Sequence, residues 1–289
     1  MNRDKKYPLL VKPLKQSGIY QEVLAKEADW QYLNFNARLL KQGEVWKGFT
    51  GDNEYGIILL SGNYSIKTNH GRWKTVNGRK SVFDGIAHTL YLPRNTEFEL
   101  IAESEILDLA LGWCEATEDF PARFKTPDEA AIEIRGGDNA TRQINSLIEP
   151  GFGSQRLVSV EVYTPSGNWS SFPAHKHDER ILDENGKVKE ARLEETYFYK
   201  IDKPQGYAIQ QIYTGDRRLD EIAVARENDV VLVPKGYHPV VAGHGYNVYY
   251  LNFLTGSDQS LACTNDPDHE WIYDSWSGKD ARIPMVSAK

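Results

Sequence analysis

Along most of the chain, apolar and polar residues alternate in short runs broken by Gly, Asn, Asp and Pro. In the first half W-Q-Y-L-N-F-N-A-R-L-L, Y-G-I-I-L-L-S-G-N-Y-S-I-K, K-S-V-F-D-G, T-L-Y-L-P-R-N and E-F-E-L-I-A follow one another in this way. A period of two marks a strand with one buried face. Many such strands with turn residues between them predict an all-β sandwich or barrel, not a βαβ fold. Helix signals are sparse. The best is T-P-D-E-A-A, with Thr126 at an N-cap position, Pro127 at the first helical position and Glu129 where a capping box needs it. I-E-I-R soon returns to strand character. Residues 1–15 read as an extended arm, because Pro8 and Pro13 disfavour helix for themselves and their predecessors.

The first half also reads as a worn copy of the second. T-L-Y-L-P-R-N-T-E-F and V-V-L-V-P-K-G-Y-H-P share an apolar strand, a Pro, a basic residue and a turn, so Glu97 falls where His238 falls. N-E-Y-G-I-I-L-L-S-G beside E-E-T-Y-F-Y-K-I places Glu54 opposite Glu195. A length of 289 residues suits two modest barrels. The expected division is a degenerate, structural barrel over 1–125 and a second barrel with a C-terminal tail over 126–289.

Candidate chemistry is concentrated in the second half. In F-P-A-H-K-H-D, His175 and His177 lie two residues apart, so a strand through them points both imidazoles to one side. Glu195 opens the next strand, T-Y-F-Y-K-I. His238 follows a strand end at Pro234 and a turn at Gly236. Three imidazoles and a carboxylate suit Zn, Fe, Mn or Ni. His70, His88, His244 and His269 read as packing or surface residues.

The order G…H-x-H…E…G followed by P-x-G…H resembles the paired motifs of the cupin superfamily. Longer phrases are more specific. V-E-V-Y-T-P-S-G-N-W-S-S-F-P-A-H-K-H-D, L-E-E-T-Y-F-Y, D-V-V-L-V-P-K-G-Y-H-P-V, G-Y-N-V-Y-Y-L-N and N-D-P-D-H-E-W resemble the 5-deoxy-glucuronate isomerase family of myo-inositol catabolism. The likeness is dense from Arg135 to Trp271, thinner before, and departs from the family at a long charged excursion after Asp178 and at a tail after Trp271. It implies a bicupin-like pair of β-barrels of double-stranded β-helix type, with one divalent metal in the C-terminal barrel only, Zn leading over Mn, Fe and Ni. Adjacent residues face opposite sides of a strand, so one of Glu194 and Glu195 can ligate, and the family phrase selects Glu195. The implied reaction is an aldose–ketose isomerisation of 5-deoxy-D-glucuronate to 2-deoxy-5-keto-D-gluconate.

Such a reaction needs a group to carry a proton between neighbouring carbons and a cation for the substrate carboxylate. Tyr197 and Tyr199 share the face of Glu195, and Tyr250 and Asn252 share one face of Y-N-V-Y-Y-L-N-F. The three tyrosines are candidate proton carriers and Asn252 a candidate substrate contact. Arg142 and Lys235 are the candidate cations. The excursion Glu179–Arg192, centred on Asn185-Gly186, is expected to close as a type I′ hairpin and either to overhang the metal as a lid or to remain a solvated flap. Rival readings are a 5-keto-4-deoxyuronate isomerase of pectin breakdown, a non-haem iron dioxygenase using the same ligands, and a non-catalytic sugar-binding cupin.

Composition narrows the partners. With 41 acidic against 34 basic residues the formal charge is −7, and no basic stripe offers itself to nucleic acid. Cys114 and Cys263, far apart in sequence, are expected to be free thiols of a reducing compartment. No run approaches the ~18 apolar residues of a membrane span. The expectation is a soluble cytoplasmic enzyme with a small sugar acid as substrate, and a homo-oligomer is compatible with it.

Overall fold

The computed structural model describes residues 8–16 and 18–288. Residues 1–7 of the expected N-terminal arm lie outside them. Within them the chain is almost wholly β, arranged as stacked sheets. The first half supplies a four-stranded sheet (Val45–Phe49, Glu97–Ala102, Tyr64–Thr68, Gly71–Lys74) facing a six-stranded one (Arg123–Lys125, Thr89–Leu92, Asn53–Ser61, Ile106–Glu115, Asn34–Lys41, Ile19–Val23). The second half supplies a seven-stranded sheet in the order Leu10–Val11, Val230–Val233, Leu193–Ile201, Val248–Gly256, Val158–Thr164, Arg142–Ile148, Ile132–Arg135. It faces a four-stranded sheet of Trp169–Ser170, Val240–Ala242, Ala208–Tyr213 and Asp220–Ala225. Leu10–Val11 precedes the first sandwich in sequence yet extends the large sheet of the second, pairing with Val230 and Val231.

The two largest sheets pack back to back. Along Leu193–Ile201 the alternation divides labour: Tyr197, Tyr199 and Ile201 point into the second sandwich, while Phe198 points into a core shared with Phe35, Ile58 and Ala110 of the first half. Gly56 and Gly112 are register partners at that junction. A Cβ on Gly112 would lie 2.3 Å from the Phe253 ring, and one on Gly56 2.7 Å from Ile148 Cδ1. Both positions need glycine so that the sheets can close around Phe253.

The worn-copy reading needs a one-residue correction. Glu54 points into the inter-sheet junction, opposite Cys114, as Glu194 lies opposite Thr255. Glu54 therefore corresponds to Glu194, and Tyr55 stands where Glu195 does. The two outward carboxylates act reciprocally. Glu54 accepts the N–H groups of Gln155, Arg156 and Leu157, each at 2.8 Å. Glu194 accepts those of Gln31, Tyr32 and Leu33 at 2.6, 2.9 and 2.8 Å. Each half thus grips a backbone turn of the other. The expected helix at Thr126 shrinks to one 3₁₀ turn, Pro127–Glu129, in which Thr126 N–H donates to the Glu129 carboxylate at 2.8 Å. Cys114 is buried, Cys263 exposed, and both are free. Among the described residues no helix is long and apolar enough to cross a membrane.

The tail beyond Trp271 fastens one hairpin of the large sheet. Ser277 Oγ donates to Asp138 at 2.7 Å, Asp138 N–H to Gly278 O at 2.8 Å and Asp280 N–H to Thr141 Oγ1 at 3.1 Å. Trp276 packs so tightly over Gly137 that a Cβ there would lie 2.4 Å away. Ending the chain after Asp274 should leave the protein folded but cut amide-exchange protection across residues 133–142 by at least about tenfold, since that hairpin loses these contacts. Unchanged protection in a hydrogen-exchange experiment would contradict the clamp.

Candidate active site

Inside the second sandwich, Glu195 and His238 are brought together by neighbouring strands, and His177 by the loop before them. Leu193 N–H donates to His177 O at 3.0 Å, which fixes the loop against the start of the Glu195 strand. His177 Nε2 lies 3.0 Å and His238 Nε2 3.3 Å from Glu195 Oε2, and all three side chains are buried. Gly236 adopts φ +90, and a Cβ there would sit 2.4 Å from Tyr213 O, so only glycine makes this turn. Its carbonyl then lies 2.8 Å from His238 Nδ1, and Leu193 O lies 3.2 Å from His177 Nδ1. With Nδ1 donating to a carbonyl in each ring, a neutral imidazole turns its Nε2 lone pair toward the Glu195 position, and a protonated His177 donates from Nε2 to the carboxylate. His238 Nε2, although close to the carboxylate, is out of line for a hydrogen bond and has no partner.

An orphaned, buried imidazole nitrogen beside a carboxylate and a second imidazole fits a metal ion. So does the backbone carbonyl behind each ring, which is the usual support for a ligating histidine. His175 completes the wall: its ring centroid is 4.8 Å from that of His238, but its nitrogens fall outside the tight three-atom group. The electrostatics agree with a compact cationic-ligand pocket. Burial works to raise the Glu195 carboxyl, yet the His177 hydrogen bond and the charge of His177 and His238 beside it hold it down at about 2. Burial, then His238 and His177, push His175 well below its ordinary value. His177 is raised, the Glu195 carboxylate outweighing burial.

The cavity before this cluster, about 70 Å³, is lined by Tyr197, Tyr250, Asn252 and Arg142 among the expected residues. The Ser171 hydroxyl, on a residue at φ +48, lies 3.0 Å from Tyr197 OH and 3.4 Å from Tyr250 OH, forming a three-hydroxyl chain. Burial pushes Tyr197 well above the ordinary phenol value, with Glu195 adding to it, so it stays protonated. Asn252 Nδ2 donates to Thr196 O at 3.2 Å. Two expectations fail on geometry. Tyr199 lies deeper, its hydroxyl committed to Gln210 Oε1 at 2.8 Å; Gln210 in turn donates to His238 O at 3.3 Å, so Tyr199 braces the site from behind. Lys235 is exposed and lines a separate cleft with Asp178, Arg192 and Glu194.

Sequence reasoning missed Arg135, Ser171, Leu261 and Cys263, which also line the cavity. A signal existed only for Arg135, which recurs opposite Arg142 if I-E-I-R and R-Q-I are read as one hairpin. The remaining histidines stay apart from the cluster. His70 and His244 are exposed, and His88 packs near Phe124 in the first half with its pKa lowered to about 4 by burial and Arg79. His269 lies beside Phe172, 4.0 Å from Asp266.

The excursion is a hairpin, but not of the expected type. Ile181–Leu182 pairs with Val188–Glu190, and Gly186 N–H closes the turn on Asp183 O at 3.0 Å. Gly186 has positive φ while Asn185 does not, which rules out type I′. None of residues 179–192 lines the cavity, so the hairpin is no lid; its base is held by Glu190, which accepts from Asp178 N–H at 2.8 Å and Lys176 Nζ at 2.8 Å. Replacing Ile181–Lys189 with a short Gly-Ser linker should keep the metal and leave turnover within about threefold, because loop length alone costs little. Loss of metal in an elemental analysis would show that the hairpin sets the ligand geometry.

A double sandwich with a buried His/Glu cluster in one of its cores is the architecture of a cupin-like protein. The fold is shared with oxalate decarboxylase from Bacillus subtilis, which superposes with a TM-score of 0.62 at 13% identity, covering 91% of this chain and 80% of that one. Residues 9–272 match the KduI/IolB family, and the chain belongs to it. It is similar to the 5-deoxy-glucuronate isomerase of Geobacillus thermodenitrificans, 40% identical over 261 residues, 90% of this chain and 93% of the relative. The 5-deoxy-glucuronate isomerase of Bacillus subtilis strain 168 is 34% identical over 258 residues, 88% of this chain and 92% of the relative. An IolB-like protein of known structure from Salmonella typhimurium LT2 gives a TM-score of 0.87 at 36% identity, covering 92% of this chain and 99% of that one.

Proposed function

We propose that this protein is a metal-dependent aldose–ketose isomerase that converts 5-deoxy-D-glucuronate to 2-deoxy-5-keto-D-gluconate in cytoplasmic myo-inositol breakdown. The observation that carries the proposal is the convergence of His177, Glu195 and His238, with each His Nδ1 set against a backbone carbonyl, in a protein of the KduI/IolB family. We assign His175, His177, Glu195 and His238 as the ligands of one divalent ion, Zn before Mn, Fe or Ni. Such an ion would act as a Lewis acid, stabilising negative charge on the substrate's carbonyl and neighbouring hydroxyl oxygens.

The chain's own groups supply the rest. One proton must leave the carbon beside the aldehyde and one must arrive at the aldehyde carbon, while a hydroxyl proton moves between the two oxygens. The Tyr197–Ser171–Tyr250 hydroxyls are spaced to pass a proton along the cavity wall. Asn252 orients a sugar hydroxyl, and Arg142 meets the carboxylate. Apolar Ile144, Val160, Val162 and Leu254 line the same cavity and limit water. We read the chain as two cupin-like barrels, 1–125 and 126–289, with metal only in the second and with the strand Leu10–Val11 lent by the first segment to the second barrel's large sheet. The inner layer of the first supports this: Tyr55 takes the place of Glu195, and Ile57 and Leu59 fill that core.

The test is to incubate the metal-loaded protein under nitrogen with 5-deoxy-D-glucuronate and with 5-keto-4-deoxyuronate and to follow the aldehyde signals by NMR. Loss of the first substrate's aldehyde alone is expected. Preference for the second, or a requirement for O₂, would overturn the assignment.

A further inference from the structure

Arg135 and Arg142 are cross-strand partners in the hairpin of Ile132–Arg135 and Arg142–Ile148. Both line the cavity whose wall carries His175, His177 and Glu195. Like charges directly opposite one another destabilise a sheet. Arg142 makes matters worse for itself, being only 6% exposed. Its Nη1 donates to Phe172 O at 2.8 Å and Ala140 O at 3.2 Å, its Nε has no partner, and among the described residues no carboxylate pairs with it. A buried guanidinium without an anion is an unfavourable arrangement unless a ligand completes it.

Arg135 differs. Its Nε and Nη2 donate to the two oxygens of Glu133, both at 2.7 Å, on a side chain that is 46% exposed. Glu133 lies two residues before Arg135 and so on the same face, pairing with Ile144 of the cavity wall. A surface-exposed ion pair of this kind is weak and exchangeable. A carboxylate from solution offers Arg135 the same two-pronged partner and in addition reaches Arg142.

We propose that Arg135 and Arg142 together form a carboxylate-binding subsite, with Glu133 as an internal carboxylate that the acid end of a sugar acid displaces. This rests on the sugar-acid reading of the site and extends it to selectivity. The single carboxylate of a uronate bridges both arginines, giving Arg142 the anion it lacks and replacing Glu133 at Arg135, while its other end faces the histidine cluster. A neutral aldose would leave the buried Arg142 without an anion, so the subsite selects acid sugars. The tail sharpens the geometry, because Lys279 Nζ donates to Gly136 O at the turn between the two arginines.

The experiment is calorimetric titration of D-glucuronate and of D-glucose into the metal-loaded full-length protein and its variants, with metal content checked in each. The wild type should bind glucuronate at least about tenfold more tightly than glucose. Arg135→Gln should weaken glucuronate about tenfold with glucose unaffected, and Arg135→Lys should recover part of the loss, since lysine keeps the charge without the fork. Glu133→Gln should tighten glucuronate a few-fold by removing the competitor. In turnover assays Arg135→Gln should raise KM more than it lowers kcat. Equal binding of the two sugars by the wild type, or wild-type glucuronate affinity in Arg135→Gln, would overturn the subsite; unchanged affinity in Glu133→Gln would overturn the exchange. A protein that binds glucuronate as described yet leaves 5-deoxy-D-glucuronate unchanged would sink the isomerase reading and spare this one.

Discussion

Replacing Glu195 by Gln should empty the metal site and lower turnover by at least roughly 10² to 10³-fold. The carboxylate is the sole anionic group of the His177–Glu195–His238 cluster. An amide of the same shape supplies no charge to a cation and presents an NH₂ group to one of the two Nε2 lone pairs. The stack of sheets should survive, since Glu195 contributes to no contact between them. Glu97→Gln is the matched control: Glu97 stands exposed on the outer sheet of the first half, at the position that sequence comparison equates with His238. Elemental analysis after dialysis should find about one ion per chain in the wild type and in Glu97→Gln, and almost none in Glu195→Gln. Full metal content in Glu195→Gln would mean that the ligand set is wrong.

Glu54→Ala should do the converse, costing about 3–5 kcal/mol of stability while leaving the metal in place. The Glu54 carboxylate is fully buried and accepts three backbone N–H groups as well as Tyr91 OH at 2.8 Å. Truncation leaves those donors without an acceptor at the junction between the halves, where water does not reach easily. A loss of this size should lower Tm by roughly 10 °C. A thermal melt that matches the wild type would show that the junction does not depend on the grip, and a loss of metal would show that the first half reaches the site through it.

The strands were legible because their alternation is strong, and cupin-like spacing picked out the three side chains that converge, His177, Glu195 and His238, with His175 beside them. The limits lie where meaning depends on which face a residue occupies. The comparison of N-E-Y-G with E-E-T-Y fits nearly as well in either register, but a shift of one residue exchanges inside for outside. Only the pairing of Glu54 with Cys114 and of Glu194 with Thr255 shows that Glu54 is an assembly carboxylate. Tyr199 lies on the expected face, yet face says nothing of depth, and its hydroxyl is used by Gln210. Lys235 could not be placed because the turn at Gly236 reverses the chain. Ser171 was invisible, since its role rests on a positive φ and on two tyrosines distant in sequence.

The shared core between the two large sheets has a thermodynamic consequence. Phe35 lies 5.3 Å from Phe198 and 6.1 Å from Phe253, ring to ring, so the first half completes its packing on strands of the second. Neither sandwich can melt without exposing the apolar back of the other. Scanning calorimetry should therefore record one endotherm in which the calorimetric and van't Hoff enthalpies agree, where two independent lobes would give two.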